Sequence, residues 1–553
     1  MRIPFAAATI LTPALLLGQA MQPLAIPPLL EADTMHLVVA AHTHQFYPGV
    51  NTATYGVNGP YLGPTLVWQQ GDTARIAVEN QLAEVTTMHW HGMHVPGEMD
   101  GGPHSIIQPG ESWTAEFPVK NPAGTYWYHP HPHMLTAKQA NLGIAGFIIL
   151  RDDAEAQLDL PRTYGVDDFP VVIQDKKIIS TGEMVTYPLG DSLWVNGTPN
   201  AYLEVPAQVV RLRLLNGSIA RIFRIGFEDD RNFDVIGSDG GLLPAPTAMN
   251  RLMLSNGERA EVLLDLTGME GDSLLLMSYG NELGQSMPGS GNLILEYSTL
   301  NGIAFPVLRL RIVPPTADPV TAVPNLLASI PVPSEATSVR TRTKTITGNG
   351  MVAMGQFLIN GLQFDMDVVN DTMLLGSNEV WHFVNNSNLA HPMHLHGVSF
   401  FVLERNGVPP PQWERGPKDV VLVDAGEDVK LIVHFGELAG ADFPYMYHCH
   451  NLMHEDHMMM LQFMVTDPVT ALAGAPAAHA LVAPSPTKGV VRFAAQFAVE
   501  HITVRDLLGR VVLDRSGPFG KEGTLDLSVA PAGVLTMELG GQGKREVVRV
   551  VKE

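Results

Sequence analysis

The single cysteine of this chain, Cys449, lies between two histidines in the run His448-Cys449-His450, with His454 and Met459 just beyond it. Three further clusters share the same spacing: His89-Trp90-His91, His129-Pro130-His131 and His391-Pro392-Met393-His394-Leu395-His396. Ten of the 21 histidines fall in these short windows. Alternate residues of a β-strand point to the same face, so an H-x-H pair can direct two imidazoles toward neighbouring metals. One such pair says little, because core histidines are common. Four pairs, one of them built around the only thiol, require strands that converge on metal.

The ligand types narrow the metal. Two histidines and a thiolate with a distant methionine match a blue-copper electron-transfer site. His391, Cys449 and His454 suit the strong ligands and Met459 the weak axial one. Zinc would favour tetrahedral Cys/His sets without the thioether. The remaining eight histidines are too many for one mononuclear site. They suit a cluster of three coppers with two or three imidazoles each.

The rest of the chain reads as β-structure. Charged residues make up 16% and apolar residues 45%, with 52 glycines and 42 prolines. That mix suits a globular, turn-rich protein. Thr73–Val78, Trp113–Val119 and Ala145–Leu150 alternate or run apolar between turn residues. So do Val209–Leu215, Glu261–Leu266, Leu293–Tyr297, Glu379–Val384, Val398–Leu403, Val429–Phe435 and Leu461–Val465. Strands at this spacing predict an all-β chain of β-sandwiches. Its 553 residues allow three or four domains. The expected divisions are 21–160, 161–325 and 326–467, the last boundary region being the Pro/Thr/Ser-rich Val313–Thr347. An Ala/Pro-rich linker follows over 468–485, then a small β-rich tail over 486–553.

The ends of the chain suggest where it works. Arg2, an apolar run from Ile3 to Leu17 and the small residues of Gly18-Gln19-Ala20 predict a signal peptide over 1–20, with export through Sec. The run is short for a membrane anchor, so no transmembrane anchor is expected. A chain with one cysteine has no internal disulfide, and outside the cytoplasm a lone thiol is oxidised unless it is buried or bound. The formal charge of −22 argues against a nucleic-acid or anionic-membrane partner, though it also serves solubility alone.

The four histidine signatures resemble those of the multicopper oxidase family, from about Leu30 to Asp467. His89–Gly102 (HWHGMHVPGEMDGG) and Ser238–Pro244 (SDGGLLP) resemble the bacterial laccase and copper efflux oxidase branch. The resemblance implies three cupredoxin-like Greek-key β-sandwich domains, with a trinuclear cluster between the first and third. It implies four coppers per chain: one type 1, one type 2 and two type 3. Type 1 copper would take His391, Cys449, His454 and Met459. Type 2 would take His89 and His394. The type 3 pair would take His91, His129 and His450 for one ion, and His131, His396 and His448 for the other. The middle segment, about 166–320, has no such cluster and is expected to be a spacer and wall. Asp100 and Glu455 match carboxylates the family uses near the cluster, for relaying protons or orienting ligands. The tail motifs Pro486-Thr487-Lys488-Gly489, Asp506-Leu507-Leu508-Gly509-Arg510 and Asp526-Leu527-Ser528 resemble the C-terminal sorting domain of proteins exported by the type IX secretion machinery. That would be a small C-terminal β-sandwich, and it implies an extracellular or cell-surface protein. An ordinary small β-domain is the plainer alternative.

By the same resemblance the electron acceptor is O₂, reduced to water. Two reductants compete: phenols or aromatic amines, as in a laccase, or Cu(I), as in copper tolerance. The copper efflux relatives carry a methionine-rich insert and a carboxylate four residues before the first type 1 histidine. Here only Met351 and Met354 stand in the matching region, read as packing residues, and Ser387 replaces the carboxylate. Both departures favour a laccase-like activity. His457, Met458 and Met460, close to the type 1 ligands, keep the Cu(I) reading open. A copper-binding or storage protein with little turnover would be expected to lack ligands, and none is missing. A two-domain nitrite reductase would not need all of these pairs, and a surface adhesin is suggested by the tail alone.

Overall fold

The computed structural model describes residues 20–291, 297–436, 440–466, 481–506, 510–542 and 544–553. Residues 1–19 of the expected signal peptide, most of the linker, residues 293–296 of the expected Leu293–Tyr297 strand and residues 507–509 lie outside the described residues. Strands dominate. Among the described residues, only Thr136–Leu142 and Leu452–Asp456 are α-helical. The chain divides into two compact units, residues 1–466 and 467–553.

Three two-sheet sandwiches make up the first unit, each with its own apolar core. In the first, the strands Val50–Val57, Thr34–Tyr47, Thr73–Asn80 and Ser112–Pro118 form one sheet. Leu29–Glu31, Thr65–Gln69, Gly146–Arg151, Gly124–His129 and His89–His91 form the other. Alternation along Thr73–Asn80 and Ser112–Pro118 sends Ala74, Ile76, Val78, Ala115 and Phe117 inward, against Trp68, Trp90 and Tyr128. Polar residues take the opposite face. The second sandwich pairs a six-stranded with an eight-stranded sheet around Phe169, Val171, Leu212, Leu214, Val262 and Leu310. Gln22–Pro23, placed by sequence in the 21–160 segment, hydrogen-bonds in parallel with Ala201 and Tyr202 of this second sandwich.

The third sandwich carries the cysteine. One sheet orders Gly355–Ile359, Ser338–Gly350, Ser377–Asn385, Asp428–Phe435 and Phe400–Arg405. The other orders Asp371–Leu374, Met460–Thr466, Gly440–Cys449, His391–Leu395 and Val420–Val423. Trp381, Phe383, Leu431, Val433, Tyr447 and Phe463 fill the space between them. In the second sheet Met393 stands opposite Cys449, and His394 opposite His448. Met393, Leu395, Tyr447 and Cys449 therefore face the core together, while His394, His396, His448 and His450 share the opposite face. A slip of one residue would exchange the two sets.

The second unit is built by itself. Its described strands, Leu481–Ala483, Val490–Arg505, Val511–Asp526, Gly533–Gly541 and Lys544–Lys552, join in one hydrogen-bonded sheet. The two 16-residue strands shift register between Ala494 and Val499. Val491, Phe493, Ile502, Val504, Leu535, Met537 and Leu539 form its core. Among the described residues no helix is long and apolar enough to cross a membrane.

Candidate metal centre

On the core side of the third sandwich, Cys449 Sγ lies 3.4 Å from His391 Nδ1 and 3.6 Å from His454 Nδ1. Asn451 caps the helix Leu452–Asp456 by accepting from Met453 N–H, and this turn brings His454 back over the cysteine. Met459 is fully buried in the same apolar cluster. Its carbonyl accepts from Cys449 N–H, and its own N–H donates to His454 O. The Phe357 ring packs at 4.5 Å from His454 and 4.8 Å from His391. Ser387, which replaces the expected carboxylate, places its hydroxyl 2.8 Å from His391 Nε2 and so fixes that ring with Nδ1 toward the sulfur. Burial pushes the Cys449 thiol up, so a metal cation is what makes the thiolate stable there.

The opposite faces of these strands meet the His89–His91 and Gly124–His129 strands in a cage of eight buried imidazoles. His131 Nε2 and His396 Nε2 lie 3.2 and 3.1 Å from His448 Nε2. Their outer nitrogens face acceptors: His396 Nδ1 is 2.7 Å from Asp100 Oδ2, and His131 Nδ1 and His448 Nδ1 lie 3.3 and 3.2 Å from Glu455. His448 Nδ1 also lies 3.1 Å from Cys449 O, and acceptors on Nδ1 of His396 and His448 place the hydrogens there, so their Nε2 lone pairs converge on the cage. His91, His129 and His450 form a second group, with His91 Nδ1 3.3 Å from His129 Nε2. His89 and His394 donate from Nδ1 to the carbonyls of Asp100 and Asp419, each at 2.8 Å. Their Nε2 atoms are buried without a partner among the described residues. His89 stacks on His396 at 3.9 Å and His91 on His394 at 3.7 Å. Burial, with the neighbouring imidazoles, lowers the basicity of His91, His129, His131, His394, His396 and His450; His131, for example, falls to about 4. These six rings are therefore neutral and ready to ligate. Burial alone would raise the Glu455 carboxyl, but His131 and His448 hold it down to about 2.

Every histidine expected as a ligand is thus brought into one of these groups. His133, next in the His129-Pro130-His131 run, is not; its ring packs at 5.3 Å against Phe364. Two supports were invisible in sequence. Asp419 bonds His91 and His394, and the fully buried Arg259, from the middle sandwich, pairs with Asp419. Gly257 is a third. A Cβ there would lie 3.0 Å from His450 Cε1 and Nδ1, and its φ is +80°. The middle segment is therefore more than a spacer, since it supplies Arg259 and seats His450. Gly257→Ala is expected to cost more than about 1 kcal/mol from the backbone conformation alone. It should also lower copper occupancy of the cage while the cysteine site stays blue. Thermal unfolding and copper analysis check both.

Converging lone pairs, unpartnered buried nitrogens and a thiolate–imidazole set suit copper by the chemistry of the donors. Two-sheet sandwiches holding a His₂Cys site on one face of a sheet and a histidine cage on the other define a copper protein of the electron-transfer kind. Two segments, 38–155 and 329–469, match multicopper oxidase family descriptions. The chain is 34% identical over 435 residues to "Multicopper oxidase mco" of Staphylococcus haemolyticus, covering 76% of this chain and 86% of that one. It is 33% identical over 460 residues to "Cell division protein FtsP" of Escherichia coli, covering 80% and 93%. Among solved structures, the laccase-like multicopper oxidase CueO of Ochrobactrum sp., described as active towards lignin model compounds, aligns with a TM-score of 0.72 at 36% identity. That alignment covers 80% of this chain and 100% of the other. The chain belongs to the multicopper oxidase family. Its body is three cupredoxin-like sandwiches.

Proposed function

We propose that this protein is a four-copper oxidase that takes electrons singly from phenols or aromatic amines and delivers them to O₂, forming water. The observation that carries this reading is the strand Gly440–Cys449. It presents Cys449 to one site, while the residues bonded on either side of it, His448 and His450, enter the other. His391, Cys449, His454 and Met459 would hold type 1 copper, and His89 and His394 type 2. His91, His129 and His450 would hold one type 3 ion, and His131, His396 and His448 the other. Copper bound there supplies one-electron exchange at the cysteine and the four-electron reduction of O₂ in the cage. The chain supplies a covalent path of a few bonds from Cys449 to the neighbouring imidazoles. Asp100, whose Oδ2 meets His396 Nδ1, and Glu455, beside His131 and His448, would pass protons inward and keep the rings oriented.

The surface beside His454 supports a bulky reductant. A depression of about 400 Å³ is lined by Met134, Met354, Gln356, Gln363, Asp456, His457 and Met458. Met354 is 65% and Met134 57% exposed. This corrects the packing role expected of Met354. The same three thioethers favour a second reading, oxidation of Cu(I), because soft sulfur selects that ion.

O₂ uptake by copper-loaded protein separates the two readings. Rapid turnover of a dimethoxyphenol without added copper supports the laccase. Uptake that is fast only with Cu(I), or phenol turnover that needs extra copper, makes the protein a metallo-oxidase. Replacing Met134, Met354 and Met458 together by Leu should then lower Cu(I)-dependent uptake several-fold and leave phenol oxidation unchanged. Equal Cu(I) rates in wild type and variant would remove the thioethers from the reaction.

The reading extends to the rest of the chain. The segments 21–160, 161–325 and 326–467 each supply most of one core cluster, although Leu24 and Leu160 join that of the second and Ala137, Ala140, Ile219 and Ala220 that of the third. We assign 486–553 to sorting by the type IX machinery after Sec export, which makes the protein extracellular or cell-surface. Fractionation of cells expressing the chain with and without its tail tests this. An unchanged distribution would leave the tail an ordinary β-domain.

A further inference from the structure

Asp419 stands at a junction that the ligand assignments do not use. Its carbonyl accepts from His394 Nδ1 at 2.8 Å, and its Oδ1 lies 3.0 Å from His91 Nε2. One residue therefore fixes two imidazoles with opposite outcomes: His394 is left with Nε2 toward the cage, and His91 with Nδ1. Arg259 holds the carboxylate in turn, with Nη1 2.6 Å from Oδ1 and Nη2 2.5 Å from Oδ2. Its other donors are also used. Nε donates to Thr125 O, Nη1 to Gly257 O and Nη2 to Asp239 O. All five guanidinium hydrogens are thereby engaged, by residues of the first, second and third sandwiches. Arg259 and Asp419 are both fully buried. Gly92, the residue after His91, leaves the room: a Cβ there would lie 2.3 Å from Asp419 Oδ2 and 2.7 Å from Arg259 Nη2.

We propose that Asp419 and Arg259 are positioning residues that set the ligating nitrogens of His91 and His394, so that the ligand-free middle sandwich governs whether the histidine cage can hold its metal. The inference rests on the four-copper reading above. Asp419 Oδ1 already accepts from Arg259 Nη1, so a ring hydrogen on His91 Nε2 satisfies the remaining pair and Nδ1 is left unprotonated for a metal. An amide at 419 would turn its NH₂ group toward either the guanidinium or His91. In the second case Nε2 becomes the acceptor and the hydrogen moves to Nδ1, which blocks the ligand.

The test uses the full-length, copper-loaded chain and two variants, Asp419→Asn and Arg259→Lys, with copper per chain, visible absorption and electron paramagnetic resonance as readouts. The blue band of the cysteine site serves as the internal control for folding. Outer-shell partners of metal ligands are worth about 10–100-fold in metal affinity. Asp419→Asn should therefore keep the blue band and lose cage copper by that factor in competition with a chelator. The resonance of the isolated copper held by His394 should disappear or shift. Arg259→Lys, which keeps the charge and the ion pair, should show a smaller loss of the same kind. Should Asp419→Asn lack the blue band, Arg259→Lys decides by the same criteria. A blue variant with full copper and an unchanged resonance overturns the inference. Wild type that never takes up four coppers overturns instead the reading beneath it.

Discussion

Cys449→Ser is expected to remove the blue absorption entirely and to reduce substrate-driven O₂ consumption to background, while the protein still folds. The thiolate is the only sulfur anion the chain can offer, and a serine hydroxyl does not replace it as a copper ligand at neutral pH. Folding should survive because Cys449 contributes one small side chain to a large core built on Trp381, Tyr447 and Phe463. Burying a hydroxyl there costs about 1–3 kcal/mol, less whatever hydrogen bond it makes to His391 or His454. Optical spectroscopy, O₂ electrode and thermal unfolding read the three quantities separately. Retained oxidase turnover in a colourless variant would mean that electrons enter elsewhere, and the assignment of the cysteine site would be wrong.

His89→Ala should give the complementary result, with the blue band intact and O₂ reduction lost. His89 comes from the first sandwich, whereas His391, Cys449, His454 and Met459 all belong to the third. Its removal deletes one unpartnered Nε2 from the cage and strips His396 of its stacking partner at 3.9 Å. Losing a direct ligand should cost more than the about 10–100-fold that an outer-shell partner costs. Stopped-flow reduction of the blue band by the phenol would remain, and its reoxidation by O₂ would not. Loss of the blue band with O₂ uptake preserved would show that the two sites had been exchanged.

Much of this was legible in the chain itself. Period-two placement around Cys449 already separates one ligand from two others, and the paired strands then carry that separation across the sheet. Strand runs such as Thr73–Asn80 and Asp428–Phe435 are marked by alternation and by the turns that bound them. Other features carry no local mark. Gln22–Pro23 joins the second sandwich through backbone hydrogen bonds, which have no side-chain signature. Arg259 and Asp419 look like ordinary charged residues 160 positions apart, and only the packing of two sandwiches makes them partners. Met134 and Met354 are further apart still in sequence, yet line one surface. In sequence Ser387 marks only a missing carboxylate. Its hydroxyl turns out to orient His391.

The hydrogen bonds that hold the outer nitrogens of His89, His394 and His396 belong to the protein and not to any metal. Each ring is clamped by a carbonyl or carboxylate on an already folded sandwich. Small zinc domains work the other way round, since their ligands gather only when the ion arrives. Here the scaffold is finished before it is furnished. Supply of copper is therefore expected to govern how many molecules are active rather than how many are folded.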